Sequence, residues 1–359
     1  MRVAVLWSGL SGYLNACLRE LAAREGVELF VSHMRPLREA PYDEAQFDWI
    51  ADRYPWQGEA EAEALLLRLE RFRPDVILCV NWHYRAYRHA MRRFKGRAVR
   101  IFTSDRQWQG TMRQWLGVLT SRIYLRPLCE AIFVAGEPQV AWARQMGFRQ
   151  EHILQGMLSC DHDSFAAVHA KRQQMPANPH AFVFVGRLAP EKGLDVLIRA
   201  YAMYRRQSAA PWPLRCFGTG PLRQLAEGAQ GVECMGFVQP DALPAEFARV
   251  SCLVLPSTFE PWALVVHEAT AAGMGVIASD AVGAAAHLLR SGENGYIVKS
   301  GDAGALAAAM LRYAGLDEQQ QRDMGEKSFA LSRQFTPARW ADTLLSRSQA
   351  LQAHLEGVG

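Results

Sequence analysis

Two cations five residues apart open the chemical reading of this sequence. In Val185-Gly186-Arg187-Leu188-Ala189-Pro190-Glu191-Lys192-Gly193 a β-like run ends in glycine, and Arg187 and Lys192 follow ahead of a helical pattern. A guanidinium can fork two phosphate oxygens and an ammonium adds a point charge. The helix dipole opposes cations at a helix start, so an anionic ligand explains them better than bare surface does; two ordinary surface cations are the plainer alternative. A second turn, Gly218-Thr219-Gly220-Pro221, lets a ligand approach the backbone at Gly218 and Gly220, with Pro221 suited to a first helical turn, although the same string serves as a plain turn. The third segment, residues 256–269, carries Glu260 in a loop and Glu268 in a helix that begins near Ala263 and Leu264. The first amides of such a helix lack intrahelical partners and make an anion site. Glu268 lies roughly 7 Å further along the axis, so one carboxylate stands on each side of the phosphate position. An N-terminal acid followed by an ordinary helical glutamate is the alternative. Gly-bearing turns at 278–283 and 292–296 fit the same cleft and specify little.

The first half offers less. Asp105, in Thr103-Ser104-Asp105-Arg106, is a lone acid among basic residues just after a β-like run, placed to orient or deprotonate a hydroxyl, or else to pair with Arg106 or cap a helix. His83 competes with it, against the plainer reading of a half-buried loop histidine. Residues 71–126 hold thirteen Lys/Arg against two acids, Asp75 and Asp105. Trp82, Tyr84, Tyr87, Phe94, Trp108, Trp115 and Tyr124 are interleaved with them. Such a stretch can attract a nucleic acid, an anionic membrane surface or a phosphorylated acceptor, or can be a solvated arginine-rich face.

These residues need elements to hold them. Short apolar runs at 3–7, 28–32, 76–81, 99–103, 131–134 and 152–155 read as strands covered on both faces, with helical patterns between them such as 14–25 and 59–72. A polar stretch with two prolines, 171–179, reads as a linker. A second series follows, with strands at 182–186, 214–218, 232–235, 252–256, 276–279 and 296–298. The alternation predicts two doubly wound parallel sheets. Ligands of such sheets bind beyond the carboxyl ends of the strands, where the residues above fall.

Composition sets the frame. The 359 residues suit two domains, and half are hydrophobic with 21% charged, which excludes a disordered chain. No apolar run reaches the roughly 18–20 residues of a membrane span, and the N-terminus reads as a first strand rather than a signal peptide. Seven scattered cysteines, without a Cys-x-x-Cys pair or zinc spacing, point to a reducing cytoplasm.

In order and interval, Gly-Arg-Leu-x-x-x-Lys-Gly, Gly-x-Gly-Pro, Glu-x7-Glu and Gly-x-Asn-Gly-Tyr resemble the retaining GT-B glycosyltransferases of family 4 over residues 182–298, with a weaker likeness at 156–165. The resemblance implies an α/β fold of GT-B architecture, two facing doubly wound Rossmann-like domains with an interdomain cleft. It implies that Arg187 and Lys192 bind a donor diphosphate and assist its departure. Glu268 then holds ribose hydroxyls, Glu260 sugar hydroxyls, and the Ala263 and Leu264 amides the phosphate or sugar. Val238, in Gly236-Phe237-Val238, lies beside the base, and Gly9 and Gly12 form the lip of the first domain. Two departures stand out: Ala263 occupies a frequent glycine position, and His287 replaces a glutamate.

The expected protein is thus a retaining hexosyltransferase using a UDP- or GDP-linked sugar as co-substrate. With no Asp-x-Asp cluster beside these loops, it is expected to need no metal, and no other cofactor is implied. The expected acceptor is a glycan or lipid-linked glycan, as in polysaccharide biosynthesis. The expected domains are 1–172 for the acceptor, 173–330 for the donor, and a C-terminal helix at 331–359 packing back on the first domain. The arginines from Arg85 to Arg97 make peripheral contact with the inner face of the membrane an expectation, while nucleic acid is not an expected partner. The rival readings are a sugar-nucleotide epimerase or hydrolase of the same fold, and a non-catalytic nucleotide-sugar or nucleic-acid binding protein.

Overall fold

Continuous apolar tetrads such as Val76-Ile77-Leu78-Cys79, Ala131-Ile132-Phe133-Val134 and Cys252-Leu253-Val254-Leu255 are wholly buried. Burial of both faces is what a parallel sheet between helical layers requires. The computed structural model describes residues 1–34, 44–56, 61–80 and 82–357. It divides into two compact units, Met1–Ser159 with Pro337–Gly359, and Cys160–Thr336.

The first unit holds strands β1 Arg2–Trp7, β2 Glu28–Met34, β3 Asp52–Trp56, β4 Val76–Cys79, β5 Val99–Ser104, β6 Ala131–Val134 and β7 Ile153–Gln155. They form one sheet in the order β3-β2-β1-β4-β5-β6-β7, parallel throughout, with Val5 opposite Val31 on one side and Leu78 on the other. The second holds β8 Phe182–Val185, β9 Leu214–Phe217, β10 Val232–Gly236, β11 Cys252–Leu255, β12 Gly275–Ser279 and β13 Gly295–Val298. Their order is β10-β9-β8-β11-β12-β13, again parallel. Strand order reverses between β1 and β4 in one sheet and between β8 and β11 in the other. In open α/β sheets a crevice for ligands opens at that reversal.

Three features depart from the sequence reading. β3 is a strand that apolar patterning misses: Asp52-Arg53-Tyr54-Pro55-Trp56 is polar because it forms a sheet edge, where Pro55 is tolerated. The stretch 171–179 does not divide the units. Helix His162–Arg172 belongs to the second, its buried Arg172 donating to the Phe247 and Val250 carbonyls, so the division falls at 159/160 instead of 172/173. The chain returns to the first unit at 336/337 instead of 330/331. There, in helix Pro337–Gly357, Trp340 Nε1 donates to the Met157 carbonyl at 2.9 Å and Asp342 pairs with Arg24 at 3.0 Å. Asn81, the expected end of β4, and residues 59–60, the expected start of helix Ala62–Phe72, lie outside the described residues. Among the described residues no cysteine forms a disulfide, and burial pushes the Cys216 thiol up to about 12, so it serves as a small hydrophobe.

Candidate active site

The loops at the β8/β11 reversal are stitched to one another by their backbones. Thr258 donates its N–H to the Glu191 carbonyl at 3.0 Å and its hydroxyl to the same atom at 3.2 Å. Ser279 Oγ donates to the Ser257 carbonyl at 2.5 Å, and Glu260 N–H to Ala281 at 3.1 Å. Two glycines permit the closeness. A Cβ on Gly193 would collide with the Pro256 carbonyl, and one on Gly218 with the Gly186 carbonyl; both positions have positive φ, 67° and 134°. Gly220 abuts the Leu188 carbonyl beside it, where the Leu222 N–H donates at 2.8 Å.

On this framework Lys192 and Glu260, 68 residues apart, form an ion pair in which both side chains are largely shielded from water. Ser257 Oγ also reaches the Glu260 carboxylate at 3.4 Å. Arg187, more exposed, pairs with Glu191. The two cations expected on a phosphate therefore each hold a carboxylate, and of the two Lys192 is the one joined to the loop after β11. Sequence spacing gives no signal for the Lys192–Glu260 pair, because the sheet, not the chain, brings those loops together.

Helix Leu264–Ala271 starts where Ala263 adopts φ 81° and ψ 84°. This left-handed conformation suits glycine and costs alanine about 1 kcal/mol, so a backbone shaped for glycine carries a side chain here. One turn on, half-buried Glu268 has its carboxyl pushed up to about 7, mainly by burial and secondarily by the charge of Asp161; none of its perturbing neighbours is a hydrogen-bond donor. A carboxylate poised in this way gains from hydroxyl donors. Its neighbour His267 is completely buried. Nδ1 accepts from the Cys160 N–H at 3.1 Å and Nε2 faces the Ser332 carbonyl at 3.0 Å, which fixes the Nε2–H tautomer. Burial lowers its pKa to about 3, so it is a neutral structural tie that the sequence reading missed. His287 contributes to an aromatic cluster, 5.9 Å from Trp262 and 5.3 Å from Phe335 between ring centres. Val238 is half-buried just beyond β10, after Gly236 at φ 76°.

In the first unit the candidates also fall at carboxyl ends. Gly9 follows β1 with open space at its Cβ position, and Gly12 begins helix Gly12–Ala22. Asp105, exposed after β5, is close enough to help raise the Tyr13 phenol, which burial first pushes up to about 12. His83 Nε2 meets the Arg106 guanidinium at 3.2 Å. Its pKa is lowered by burial and then by Arg106, Arg88 and Arg113, so it is neutral at pH 7 with its Nε2 already engaged. Of the basic run, Arg93 and Arg97 both bind Glu70, while Arg85, Arg88, His89 and Arg92 line a cavity of 440 Å³. The structure thus groups Lys192, Glu260 and the Ala263 helix start in the second unit, and His83 with Arg106 in the first.

Residues 179–315 match the family described as Glycosyl transferases group 1. The chain is similar to an exopolysaccharide phosphotransferase of Streptomyces coelicolor, 37% identical over 47% of this chain and 18% of that one. It is also similar to the D-inositol 3-phosphate glycosyltransferase of Nocardia farcinica, 31% identical over 54% of this chain and 45% of the relative. The chain therefore spans less than half the length of these curated relatives. Among solved structures, Anabaena HepE in complex with UDP and glucose aligns over 99% of this chain and 100% of its own, with TM-score 0.69 at 18% identity. That likeness concerns the fold: two Rossmann-like parallel-sheet units, the GT-B architecture. The residues that match this family run across β8 to β13, the sheet that carries Arg187, Lys192, Glu260 and Glu268.

Proposed function

We propose that the protein is a nucleotide-sugar-dependent glycosyltransferase that seats its donor diphosphate at the β8/β11 reversal. The observation that carries this reading is the Lys192–Glu260 pair beside the helix start at Ala263, within the segment that matches the glycosyltransferase family. Donor binding exchanges partners: Lys192 turns to the diphosphate, Glu260 is released to the sugar hydroxyls, and Arg187 leaves Glu191 for a second phosphate oxygen. Glu268 accepts the ribose hydroxyls. HepE, whose complex holds UDP and glucose, makes a UDP-linked hexose the first donor to try, with GDP-linked sugars next.

Cleavage of the anomeric C–O bond leaves positive charge on the sugar and negative charge on the departing phosphate. In this reading Lys192, Arg187 and the helix-start amides receive that phosphate, and charge met by prepositioned donors is the largest catalytic contribution of such a site. In a retaining reaction the acceptor oxygen forms its bond on the face the phosphate leaves, and the acceptor proton passes to a leaving phosphate oxygen. Glu260 and Glu268 then bind and orient; they are not an acid and base pair. Asp105 orients the acceptor hydroxyl, and His83 positions Arg106. The acceptor is a glycan or lipid-linked glycan, at the inner face of the membrane, with Arg88, Arg92 and Lys95 among the cations of the 85–97 run that Glu70 does not hold.

Thermal-shift titration with UDP, GDP and their sugars tests the reading. A nucleotide diphosphate stabilises the wild type, and Arg187→Ala and Lys192→Ala abolish the shift. Either variant keeping the full shift contradicts the phosphate assignment. Product analysis with donor alone and with acceptor separates transfer from hydrolysis or epimerisation.

A further inference from the structure

Helix Met112–Tyr124 is packed the wrong way round for a soluble protein. Met112, Leu116, Leu119 and Ile123, at intervals of four, three and four, share one face. They are 80%, 62%, 72% and 71% exposed, and Trp115 and Tyr124 beside them are 50% and 65% exposed. The opposite face, Gln114, Gly117, Val118 and Ser121, is the one turned inward. Ser121 is buried, its hydroxyl donating to the Val118 and Met146 carbonyls at 2.8 and 3.2 Å. The helix start is fixed: the Thr111 hydroxyl accepts the Gln114 N–H at 3.3 Å, and the Gln114 amide donates to the Gln107 carbonyl at 2.8 Å. Six of the twelve large exposed hydrophobics among the described residues lie on this single helix, so the patch is a continuous face and not scattered surface.

Charge selects its occupant. No acidic residue occurs between Asp105 and Glu130, while Arg106, Arg113, Arg122 and Arg126 do. On the 100° wheel Arg113 and Arg122 flank the apolar face, one on each side. Among the described residues no carboxylate pairs with Arg92, Arg106, Arg113 or Arg122. Because β4, β5, β6 and β7 follow one another across the sheet, their right-handed crossovers place helices Arg85–Arg93 and Met112–Tyr124 on the same side. A second copy meeting this face would set arginines against arginines, and a nucleic acid would gain nothing from the leucines. Basic rims with an apolar centre and an interfacial tryptophan match an anionic bilayer.

We propose that the outward face of helix Met112–Tyr124 enters the headgroup region of an anionic membrane, with Arg113 and Arg122 on lipid phosphates and Leu116 and Leu119 below them. This goes beyond the membrane contact proposed above by naming the element that inserts, and it is independent of glycosyl transfer, since vesicle binding needs no donor. The full chain is sedimented with vesicles of phosphatidylcholine plus phosphatidylglycerol and with phosphatidylcholine alone, and brominated lipid is used to quench tryptophan. The expected results are binding to the mixed vesicles that weakens in high salt, quenching that falls in Trp115→Phe, and an affinity roughly a hundredfold lower for Leu116→Gln/Leu119→Gln. Both leucines are exposed, so the double variant keeps its melting temperature; quenching of the wild type reports insertion whatever the variant does. Unquenched wild type, unchanged vesicle binding by the double variant, or self-association without lipid that the double variant abolishes would each overturn the proposal. Failure here leaves the nucleotide thermal shifts untouched, and loss of those shifts leaves vesicle binding untouched.

Discussion

Replacing Glu268 by glutamine should make the second unit more stable and the nucleotide site worse, with a pH dependence that identifies the cause. The Glu268 carboxyl is raised from 4.5 to about 7, first by burial and then by Asp161. Below pH 4.5 it is protonated in both folded and unfolded chains and contributes nothing. As pH rises from 4.5 to 7 the unfolded chain ionises freely while the folded one resists, so wild-type stability falls, and it stays reduced above pH 7. The shift corresponds to about 3 kcal/mol; solvent on the open side of the residue screens this to about 1–2 kcal/mol. Glutamine keeps the shape and does not titrate. Calorimetry from pH 4.5 to 8 should therefore show wild type and Glu268→Gln melting together at the acid end and separating by several degrees at pH 8. Ribose hydroxyls stabilise the ionised form, so nucleotide binding near pH 7 should release a proton, detectable by titration calorimetry in buffers of different ionisation heat. Glu268→Gln should lose that release and bind roughly tenfold to a hundredfold more weakly, since hydrogen bonds to a charged acceptor contribute about 1.5–3 kcal/mol. A melting difference that is constant with pH, or nucleotide affinity unchanged in the variant, would refute the reasoning.

Ala263→Gly relieves the left-handed strain at φ 81° and should raise stability by about 0.5–1 kcal/mol in urea denaturation. Glu260→Gln removes the carboxylate that occupies Lys192, so nucleoside diphosphate should bind equally or a few-fold more tightly while the added affinity of the sugar is lost, as titration calorimetry would show. His267, lowered to about 3, contributes stability that is complete above pH 6.5 and lost as pH falls toward 3, because the unfolded chain takes up the proton first. His267→Asn should accordingly be less stable at pH 7 by about 1–3 kcal/mol, yet flatten the decline between pH 6.5 and 4 when followed by circular dichroism.

The buried strands were legible because parallel sheets demand apolar runs, and the site loops because they follow such runs. What periodicity cannot supply is direction. The helix at 112–124 has a clear apolar face in the sequence, but only packing shows that Leu116 and Leu119 point to solvent and Ser121 inward. Polarity hid β3, an edge strand whose Trp56 is nonetheless buried. The prolines at 176 and 179 read as a domain linker although Arg172 already belongs to the second core through Phe247 and Val250. Type and spacing single out Arg187, Lys192, Glu260 and Glu268 as candidates; that Lys192 and Glu260 hold each other, and that Ala263 is strained, depends on chain segments meeting in space.

The central claim is that a diphosphate lodges at the β8/β11 reversal. A crystal structure with the stabilising nucleotide diphosphate bound tests it most directly. The account predicts phosphate oxygens within hydrogen-bond distance of Lys192 Nζ and of an amide at the start of helix Leu264–Ala271, with Glu268 on the ribose. A diphosphate seated elsewhere, with the Lys192–Glu260 pair intact, would contradict it.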